Sequence, residues 1–498
     1  MAEKPLSKSS PILIVGAGVF GLSTALHLGQ RGYTNVTVID KQPYDQTLYD
    51  YDRGCDGASS DINKILRCAY GNDTCYSQLA LAAREDFIKW NAELSTLTNP
   101  PLGLSHKDKL YANCGTLSVV AQDGETLPPF EQASLDYMKS IGKKDTQFNI
   151  NNAEDIVRAE RKGFRHCIDP FNRKTRGLPV GGLLDTLGGF VYADKCCLFA
   201  LHKARALGVK FVFGVDGKFK EFLYPEDHSS TVIGVRTADG VEHAADLVCV
   251  AGGGWTPTLV PELDNLCETT AGSVCSYQIP RDSPLWDRFS PDRFPSYGIG
   301  MRDGAEGGVY GFPRDENGVV KIGYRGTKYT NPITQRDGKI RSTPITRWTS
   351  DAKITAIPST ALRVIKTFVA QNLPELNEHK IPMVKSRLCW YNDSFDNHLV
   401  IDRVPGRENL MVATGGSGHG FKYLPVLGKF VVDIVEGKEE GEMGSEIRRR
   451  WQWRSLTSGE KAYNVIGQGN EGDSRLAKQI LVRDEELMST GAELVAKL

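Results

Sequence analysis

The segment from Pro11 to Asp40 constrains the fold of this chain more than any other feature. It reads as an apolar strand, a glycine-rich turn, a helix and a second strand, with the sequence PILIVGAGVFGLSTALHLGQRGYTNVTVID. Gly16, Gly18 and Gly21 have the G-x-G-x-x-G spacing. In that motif the first glycine allows a tight turn, the second lets a pyrophosphate approach the backbone, and the third lets the helix pack on the strand. The segment therefore predicts a Rossmann-type dinucleotide-binding unit.

An acidic side chain closes the second strand of this unit. Asp40 stands where a carboxylate accepts hydrogen bonds from both ribose hydroxyls and repels a 2′-phosphate, which favours FAD or NAD over NADP. The glycine triplet alone is a weak signal, and a glycine-rich turn in another kind of α/β protein is the alternative. The flanking strands and the acid favour the nucleotide site.

Length and charge limit the remaining possibilities. A chain of 498 residues is too long for one compact core, so we expect at least two domains. Lys and Arg number 60 against 61 Asp and Glu, so no basic field indicates a nucleic-acid partner. No apolar run is long enough to span a membrane, and the apolar N-terminal segment fits the nucleotide turn better than an export signal. We expect a soluble protein and a monomer.

The eleven cysteines are scattered, and no pair has C-x-x-C spacing. This pattern predicts reduced, buried thiols, no metal site and a reducing intracellular compartment.

Nucleotide-fold character recurs further along the chain. A helix predicted from about 197 to 207 precedes the strand 209–215, an Asp-Gly turn at 239–240 predicts a hairpin, and the strand 247–251 enters three glycines. The segments between these regions have short strands and proline-bounded loops. We therefore expect two interleaved domains: a nucleotide-binding domain from 1–100, 190–270 and 385–440, and a second α+β domain from 101–189 and 271–384. Residues 441–498 form a polar C-terminal extension.

A second glycine loop lies near the end of the nucleotide-binding domain. The segment 411–425, MVATGGSGHGFKYLP, predicts a strand, a loop and the start of a helix. Lys422 falls in the predicted first helical turn, where a cation opposes the helix dipole, so we expect it to have an anionic partner. The glycines of this loop are Gly415, Gly416, Gly418 and Gly420.

Five motifs, taken in their order along the chain, identify a resemblance to a known family. They are GAGVFGLSTALHL, DINKILRCAYG at 61–71, YGFP with KIGY between 310 and 324, RLCWYNDSFDNHLVID at 387–402 and GGSGHGFKYLP at 415–425. The chain resembles the D-amino-acid-oxidase-type flavoprotein superfamily, within the branch that holds monomeric sarcosine oxidase, pipecolate oxidase, saccharopine oxidase and the fructosyl amino acid oxidases, or amadoriases. The resemblance implies an α/β fold with a GR2/DAO-like FAD-binding domain and a substrate domain on an antiparallel sheet.

The resemblance also implies roles for particular residues. Cys389 stands at the covalent anchor for the flavin 8α-methyl group, so FAD is expected to be covalently bound. Arg67 and Lys422 occupy the positions that clamp the substrate carboxylate. Phe312 stands where amadoriases carry a glutamate that contacts the sugar, which argues against a fructosyl substrate.

Three residues have expected roles over the flavin ring. Lys321 matches the lysine that activates dioxygen, since a fixed cation stabilises superoxide. Lys64 replaces an arginine of the sarcosine oxidase pattern, and Tyr310 stands at a substrate-side tyrosine. Arg325 and Ser60 replace histidines of that pattern.

These residues imply an FAD-dependent oxidase that takes a hydride from a secondary amino acid and gives an imine and hydrogen peroxide, as some oxidases of fungal secondary metabolism do. An amadoriase, a nicotinamide-dependent dehydrogenase and a non-catalytic flavin-binding protein are the alternatives. The last residues, Ala496, Lys497 and Leu498, resemble the tripeptide that a peroxisomal import receptor reads, so we expect a peroxisomal protein.

Overall fold

The computed structural model describes residues 6–120, 126–226, 230–349, 354, 356–438, 441–457 and 472–488. Over these residues, two large sheets organise the molecule. The first has six strands, and all neighbouring strands are parallel except the edge strand Val400–Arg403, which pairs antiparallel with Leu410–Thr414. Its strands in spatial order are Val400–Arg403, Leu410–Thr414, Leu247–Val250, Ile12–Val15, Val36–Asp40 and Lys210–Phe213.

The central strands of this sheet are covered on both faces. Ile12–Val15 and Leu247–Val250 are buried at every position, which explains why both read as continuous apolar runs and not as alternating ones. Helix Val19–Gln30 packs against helices Ala193–Ala206 and Leu427–Glu436 on one side of the sheet. The predicted dinucleotide-binding fold is confirmed.

The glycine turn has the geometry that its spacing predicts. Gly16 has φ +112°, a left-handed conformation that a residue with a side chain rarely adopts. A Cβ atom on Gly21 would lie 1.8 Å from the carbonyl oxygen of Gly16, so the helix approaches the turn at backbone contact distance.

The second large sheet has eight strands among the described residues. It is antiparallel as predicted, apart from one parallel pair between Ser296–Ile299 and Thr116–Val119. The sequence division assigned residues from 385 onward to the nucleotide-binding domain, whereas strand pairing places Met383–Ser394 at the edge of this larger sheet. The strands in spatial order are Met383–Ser394, Cys267–Gln278, Val319–Tyr329, Val309–Gly311, Ser296–Ile299, Thr116–Val119, Gly182–Asp185 and Gln147–Asn149.

Three smaller sheets complete the strands of the described residues. The predicted Asp-Gly hairpin joins Gly234–Thr237 to Glu242–Ala244, with Phe219–Leu223 beside them. A second small sheet pairs Asn63–Leu66, Gly189–Tyr192 and Tyr111–Ala112. The third pairs Pro332–Thr334 with Ile340–Ser342.

The helix predicted from about 197 to 207 is present with shifted ends and runs from Ala193 to Ala206. One expectation was wrong: Lys422 lies in a separate 3₁₀ turn, Phe421–Tyr423, before the helix Leu427–Glu436. The α-helices of the described residues are Val19–Gln30, Tyr44–Thr47, Thr74–Thr96, Pro129–Ser140, Ala153–Arg161, Ala193–Ala206, Thr256–Leu259, Leu285–Arg288, Ser359–Asn372, Pro374–Glu378, Leu427–Glu436, Gly441–Trp451 and Asp484–Met488.

The C-terminal extension packs against the rest of the protein where it is described. Trp451 is fully buried, and its Nε1–H donates to the hydroxyl of Tyr76 at 3.1 Å. Arg448 and Arg450 pair with Asp402 and Asp73, so this basic run contacts the protein's own surface. Ala496, Lys497 and Leu498 lie outside the described residues.

All eleven cysteines are buried free thiols, as their spacing predicts. None of the described helices combines the length and the apolar character that a membrane crossing requires.

Replacement of Gly21 by Ala is expected to destabilise the protein by about 3 kcal/mol, because the new methyl group overlaps the Gly16 carbonyl oxygen and both backbones must move. Gly437→Ala is the control. Gly437 has φ +65° and open space around it, so that change adds only the left-handed backbone strain of about 1 kcal/mol. Chemical denaturation of the three proteins measures the difference, and equal losses in both variants would contradict the packing explanation.

Candidate active site

A cavity of about 710 Å³ is lined by residues from both large sheets. Its volume lies within the range of sites that enclose a small molecule or a cofactor. It brings together most of the side chains and glycines that the sequence singled out. Those that line it are Gly16, Gly18, Asp40, Lys64, Arg67, Tyr310, Phe312, Gly416, Gly418, Gly420 and Lys422.

One end of the cavity has the features of a nucleotide cradle. The backbone N–H of Val19 at the helix start donates to the hydroxyl of Ser59 at 3.0 Å, beside the bare backbone of Gly18. Asp40 accepts hydrogen bonds from the backbone N–H groups of Ala17 and Gln42, at 2.7 and 2.8 Å. Burial raises the pKa of Asp40, and these two bonds partly offset the rise. Each carboxylate oxygen keeps a further lone pair, so the residues fit a dinucleotide such as FAD.

Two of the predicted glycines act through packing, since they do not line the cavity. Gly21 closes the helix on the first turn. Gly415 has φ +68°, and a Cβ atom there would lie 2.9 Å from the backbone nitrogen of Val400. These positions shape the two glycine loops that border the cavity.

The two predicted carboxylate-binding residues meet at one tyrosine. The ammonium group of Lys422 donates to the hydroxyl of Tyr70 at 2.6 Å, and the Arg67 guanidinium lies 4.9 Å from the centre of the same ring. Burial raises the pKa of Tyr70, but Lys422 and Arg67 outweigh it, and the net pKa is lowered. Residues 355 positions apart thus share one wall of the cavity. The partners of Lys422 among the described residues are the hydroxyl of Tyr70 and the backbone oxygen of His419, not the anionic group that the sequence predicts.

A buried carboxylate joins the two predicted lysines. Oδ2 of Asp61 accepts from Lys64 at 2.6 Å and lies 2.9 Å from the ammonium nitrogen of Lys321, which also donates to the backbone oxygen of Asn63. Burial lowers the pKa of Lys321 to about 8, and the pairing with Asp61 offsets part of the fall. Burial favours a raised pKa for Asp61, yet the two cations hold it well below its usual value.

Lys321 lies behind the cavity wall, whereas Lys64 forms part of it. The Lys321 side chain is about 2% exposed, and its ammonium group lies 4.6 Å from the centre of the Phe312 ring.

Cys389 also lies just behind the wall. Its sulfur is 3.7 Å from the ammonium group of Lys64, and the residue is 1% exposed. Arg387, two residues earlier on the same strand, is buried and lies 3.8 Å from the centre of the Tyr51 ring. Because alternate residues of a strand share a face, both basic groups are on the cysteine's side of the sheet.

Aromatic side chains form an apolar part of the wall. Phe312 is fully buried, and its ring packs edge-on against Phe190 and Tyr310. Burial raises the pKa of Tyr310 to about 12, although Lys64 opposes the rise, so this hydroxyl stays protonated at neutral pH. The position of Phe312 offers no carboxylate to a sugar.

Sequence reasoning missed Tyr70 and Asp61, although both lie within the quoted motif DINKILRCAYG. Buried ammonium groups need hydrogen-bond acceptors, so the prediction that Lys422, Lys321 and Lys64 lie at the site already implies acceptors nearby. Tyr70 and Asp61 are such acceptors in the same motif.

The chain is similar to several characterised oxidases over most of its length. It is 28% identical to L-saccharopine oxidase of Schizosaccharomyces pombe, over 90% of this chain and 93% of that protein. It is 26% identical to N-methyl-L-tryptophan oxidase of Salmonella typhi, over 86% of this chain and 95% of that protein. The crystal structure of a thermally stable mutant of fructosyl peptide oxidase matches with a TM-score of 0.75 and 26% identity, covering 96% of this chain and all of that one.

The family assignment rests on the whole nucleotide-binding region and the larger sheet together. The model of the DAO family, described as FAD dependent oxidoreductase, matches residues 11–434. This range includes both glycine loops, Asp40 and every basic residue of the cavity wall described above. The chain therefore belongs to the DAO family of FAD-dependent oxidoreductases.

Proposed function

We propose that the protein is an oxidase of a secondary amino acid, which it converts to an imine while dioxygen becomes hydrogen peroxide. One observation carries the proposal: Arg67 and Lys422 converge on Tyr70 at the wall of the cavity that Gly16 and Gly18 also line. A guanidinium and an ammonium group at one place are the groups that bind a carboxylate. The relatives named for saccharopine and N-methyl-L-tryptophan support the choice, because both compounds are secondary amino acids.

In this mechanism the protein orients the substrate. FAD, when bound, would supply the acceptor for a hydride, which is one proton with two electrons, from the substrate C–H bond, and it would pass the two electrons to dioxygen. Arg67 and Lys422 hold the carboxylate, which fixes the adjacent carbon. Phe312 and Tyr310 exclude water from the reacting carbon. The substrate nitrogen must be neutral, since its lone pair stabilises the positive charge that develops as the hydride leaves.

Lys321 serves the reaction with dioxygen in this proposal. A fixed ammonium group stabilises the negative charge that appears when dioxygen takes its first electron. Asp61 and the carbonyl of Asn63 hold the ammonium group in one position. The ammonium group of Lys64 contacts both Asp61, the partner of Lys321, and the sulfur of Cys389. Lys64 therefore connects the proposed oxygen-activating lysine with the proposed flavin attachment site.

A panel of amines tests the proposed substrate class. Secondary amino acids, among them N-methyl amino acids, pipecolate and saccharopine, are expected to bleach the flavin absorbance without oxygen and to give peroxide with it. The matching primary amino acids, which lack the N-substituent, and the decarboxylated amines, which lack the carboxylate bound by Arg67 and Lys422, are the controls. Both are expected to react at least about 100-fold more slowly, because they are not held in the reactive position. Bleaching by none of the secondary amino acids would leave a non-catalytic flavin protein, and NADH formation without peroxide would indicate a dehydrogenase.

An amadoriase is the second candidate, and the likeness to fructosyl peptide oxidase favours it. Fructosyl-lysine and fructosyl-valine belong in the same panel. The apolar surroundings of Phe312 argue against a sugar at that position. Peroxide formation faster with these compounds than with any other secondary amine would make the amadoriase the better assignment.

The proposed role of Lys321 predicts a pH dependence. Because its pKa is lowered to about 8, the side chain is charged below that pH and loses its charge as the pH rises through it. Reaction of the reduced enzyme with dioxygen is therefore expected to slow above pH 8. Lys321→Met is expected to slow this step by about 100-fold and to abolish its dependence on pH in this range. Stopped-flow mixing with oxygen measures the step.

Anaerobic reduction by substrate is the internal control for Lys321→Met. That rate is expected to stay within a factor of about three, since the electrostatic effect is specific to the charge formed on oxygen. Equal losses in reduction and reoxidation would show that Lys321 supports the structure of the site and not the oxygen reaction.

We further propose that Cys389 carries the flavin through a thioether. The position of its sulfur supports this, because the sulfur lies 3.7 Å from the ammonium group of Lys64, which lines the cavity. The wild-type protein is expected to keep its yellow colour in the pellet after acid precipitation, whereas Cys389→Ser is expected to release it. Cys275→Ser, which removes a buried thiol from the neighbouring strand, is the control. A wild-type pellet without colour would contradict covalent attachment.

Peroxisomal location is also part of the proposal. The C-terminal Ala496, Lys497 and Leu498 support it, and peroxide production suits a compartment that contains catalase. Imaging of the full chain against a chain that lacks these three residues checks it.

A further inference from the structure

A third cation lines the cavity beside the proposed carboxylate clamp but is not part of it. Arg325 lies on the strand Val319–Tyr329 and lines the same cavity as Arg67 and Lys422. Its guanidinium lies against Gly418, where an added Cβ would be 2.9 Å from Nη1. The glycine loop therefore makes room for this side chain.

Two of these three cations have no hydrogen-bonding or ionic partner among the described residues. The Arg67 guanidinium lies 4.9 Å from the centre of the Tyr70 ring and 5.7 Å from that of Phe130. For Arg325, the backbone N–H donates to Gly308, but the guanidinium makes no such contact within the described part of the chain. Lys422, by contrast, donates to the hydroxyl of Tyr70 at 2.6 Å and to the backbone oxygen of His419 at 3.1 Å.

The three cations are close enough to act on one histidine. Burial lowers the pKa of His419 well below its usual value, and Lys422, Arg325 and Arg67 each lower it further. His419 is therefore neutral and adds no charge of its own. Its Nε2 pairs with the backbone oxygen of Asn397 at 2.9 Å.

Glu131 and Asp185 also line the cavity, and neither carboxylate pairs with Arg67 or Arg325. Oε1 of Glu131 accepts from Ser118 at 2.8 Å and pairs with Arg302, while its buried Oε2 has no hydrogen-bond partner among the described residues. Asp185 accepts from the backbone N–H groups of Cys68 and Leu187.

Two of the three cations, Arg67 and Arg325, thus have no ion-pairing carboxylate among the described residues. Like charges held together at low dielectric repel one another, and an incoming anion relieves the repulsion. One carboxylate is matched by the fork of Arg67 together with the point charge of Lys422. Arg325 then remains for a second anion.

We propose that Arg325 is a specificity-determining residue that binds a second carboxylate of the substrate. The substrate class is then an N-substituted amino acid whose N-substituent ends in a carboxylate. This inference rests on the proposed oxidation of a secondary amino acid, and it selects one group among such compounds.

Paired inert ligands test the assignment without turnover. The acids HOOC–CH₂–S–(CH₂)ₙ–COOH, with two to five methylenes, carry sulfur in place of the amine nitrogen and are not oxidised as amines are. Each is paired with the monoacid that ends in a methyl group. Isothermal titration calorimetry of the flavin-loaded protein measures both affinities. At least one diacid is expected to bind about 10- to 100-fold more tightly than its monoacid, the contribution of a charged hydrogen bond.

Three variants separate a binding role from a structural one. Arg325→Met is expected to abolish the preference for the diacid while leaving the monoacid affinity unchanged. Arg325→Lys keeps the charge and is expected to retain part of the preference. Arg293→Met, at an exposed arginine away from the cavity, is the control for loss of one positive charge and is expected to keep the full preference.

Each outcome decides for or against the inference. Equal affinities for diacids and monoacids in the wild type would overturn it, and so would equal weakening of both by Arg325→Met. Failure of the proposed function looks different, since neither acid series would bind and no secondary amino acid would give peroxide.

Discussion

Burial of several cations around one cavity is the constraint on which the site depends. Lys64 and Lys321 share the single carboxylate of Asp61, while Lys422 relies on the hydroxyl of Tyr70. Desolvation of an ammonium group is costly unless an acceptor compensates it. These pairings hold the three ammonium groups in fixed places without any ligand, so the charges of the cavity wall are preorganised.

The interleaved chain explains how distant residues reach this cavity. The first glycine loop comes from the start of the parallel sheet, whereas Lys321 and Cys389 come from strands of the larger sheet. Because strands from the two sheets line one cavity, neither sheet forms the site alone. Contacts between residues so far apart in sequence require the closure of long loops, which costs more conformational entropy than local contacts do.

Much of the fold followed from sequence pattern. The G-x-G-x-x-G turn was predictable because Gly16 needs a positive φ and Gly21 needs the space of a Cβ atom. Strand membership was less predictable, since Met383–Ser394 pairs by register with Cys267–Gln278 and no local signal shows which sheet a strand joins. The sequence did not predict the 3₁₀ turn at Lys422, because local helix propensity does not fix the residue at which a helix begins.

The C-terminal helix Gly441–Trp451 contacts residues that lie directly behind the cavity wall. Trp451 donates to Tyr76, and the Tyr76 ring packs 5.7 Å from that of Tyr70, the acceptor of Lys422. These aromatic contacts connect the helix, which lies outside the matched range 11–434, to the wall of the cavity that holds Lys422. Loss of Trp451 would therefore remove the donor to Tyr76 and a packing support one residue away from the partner of Lys422.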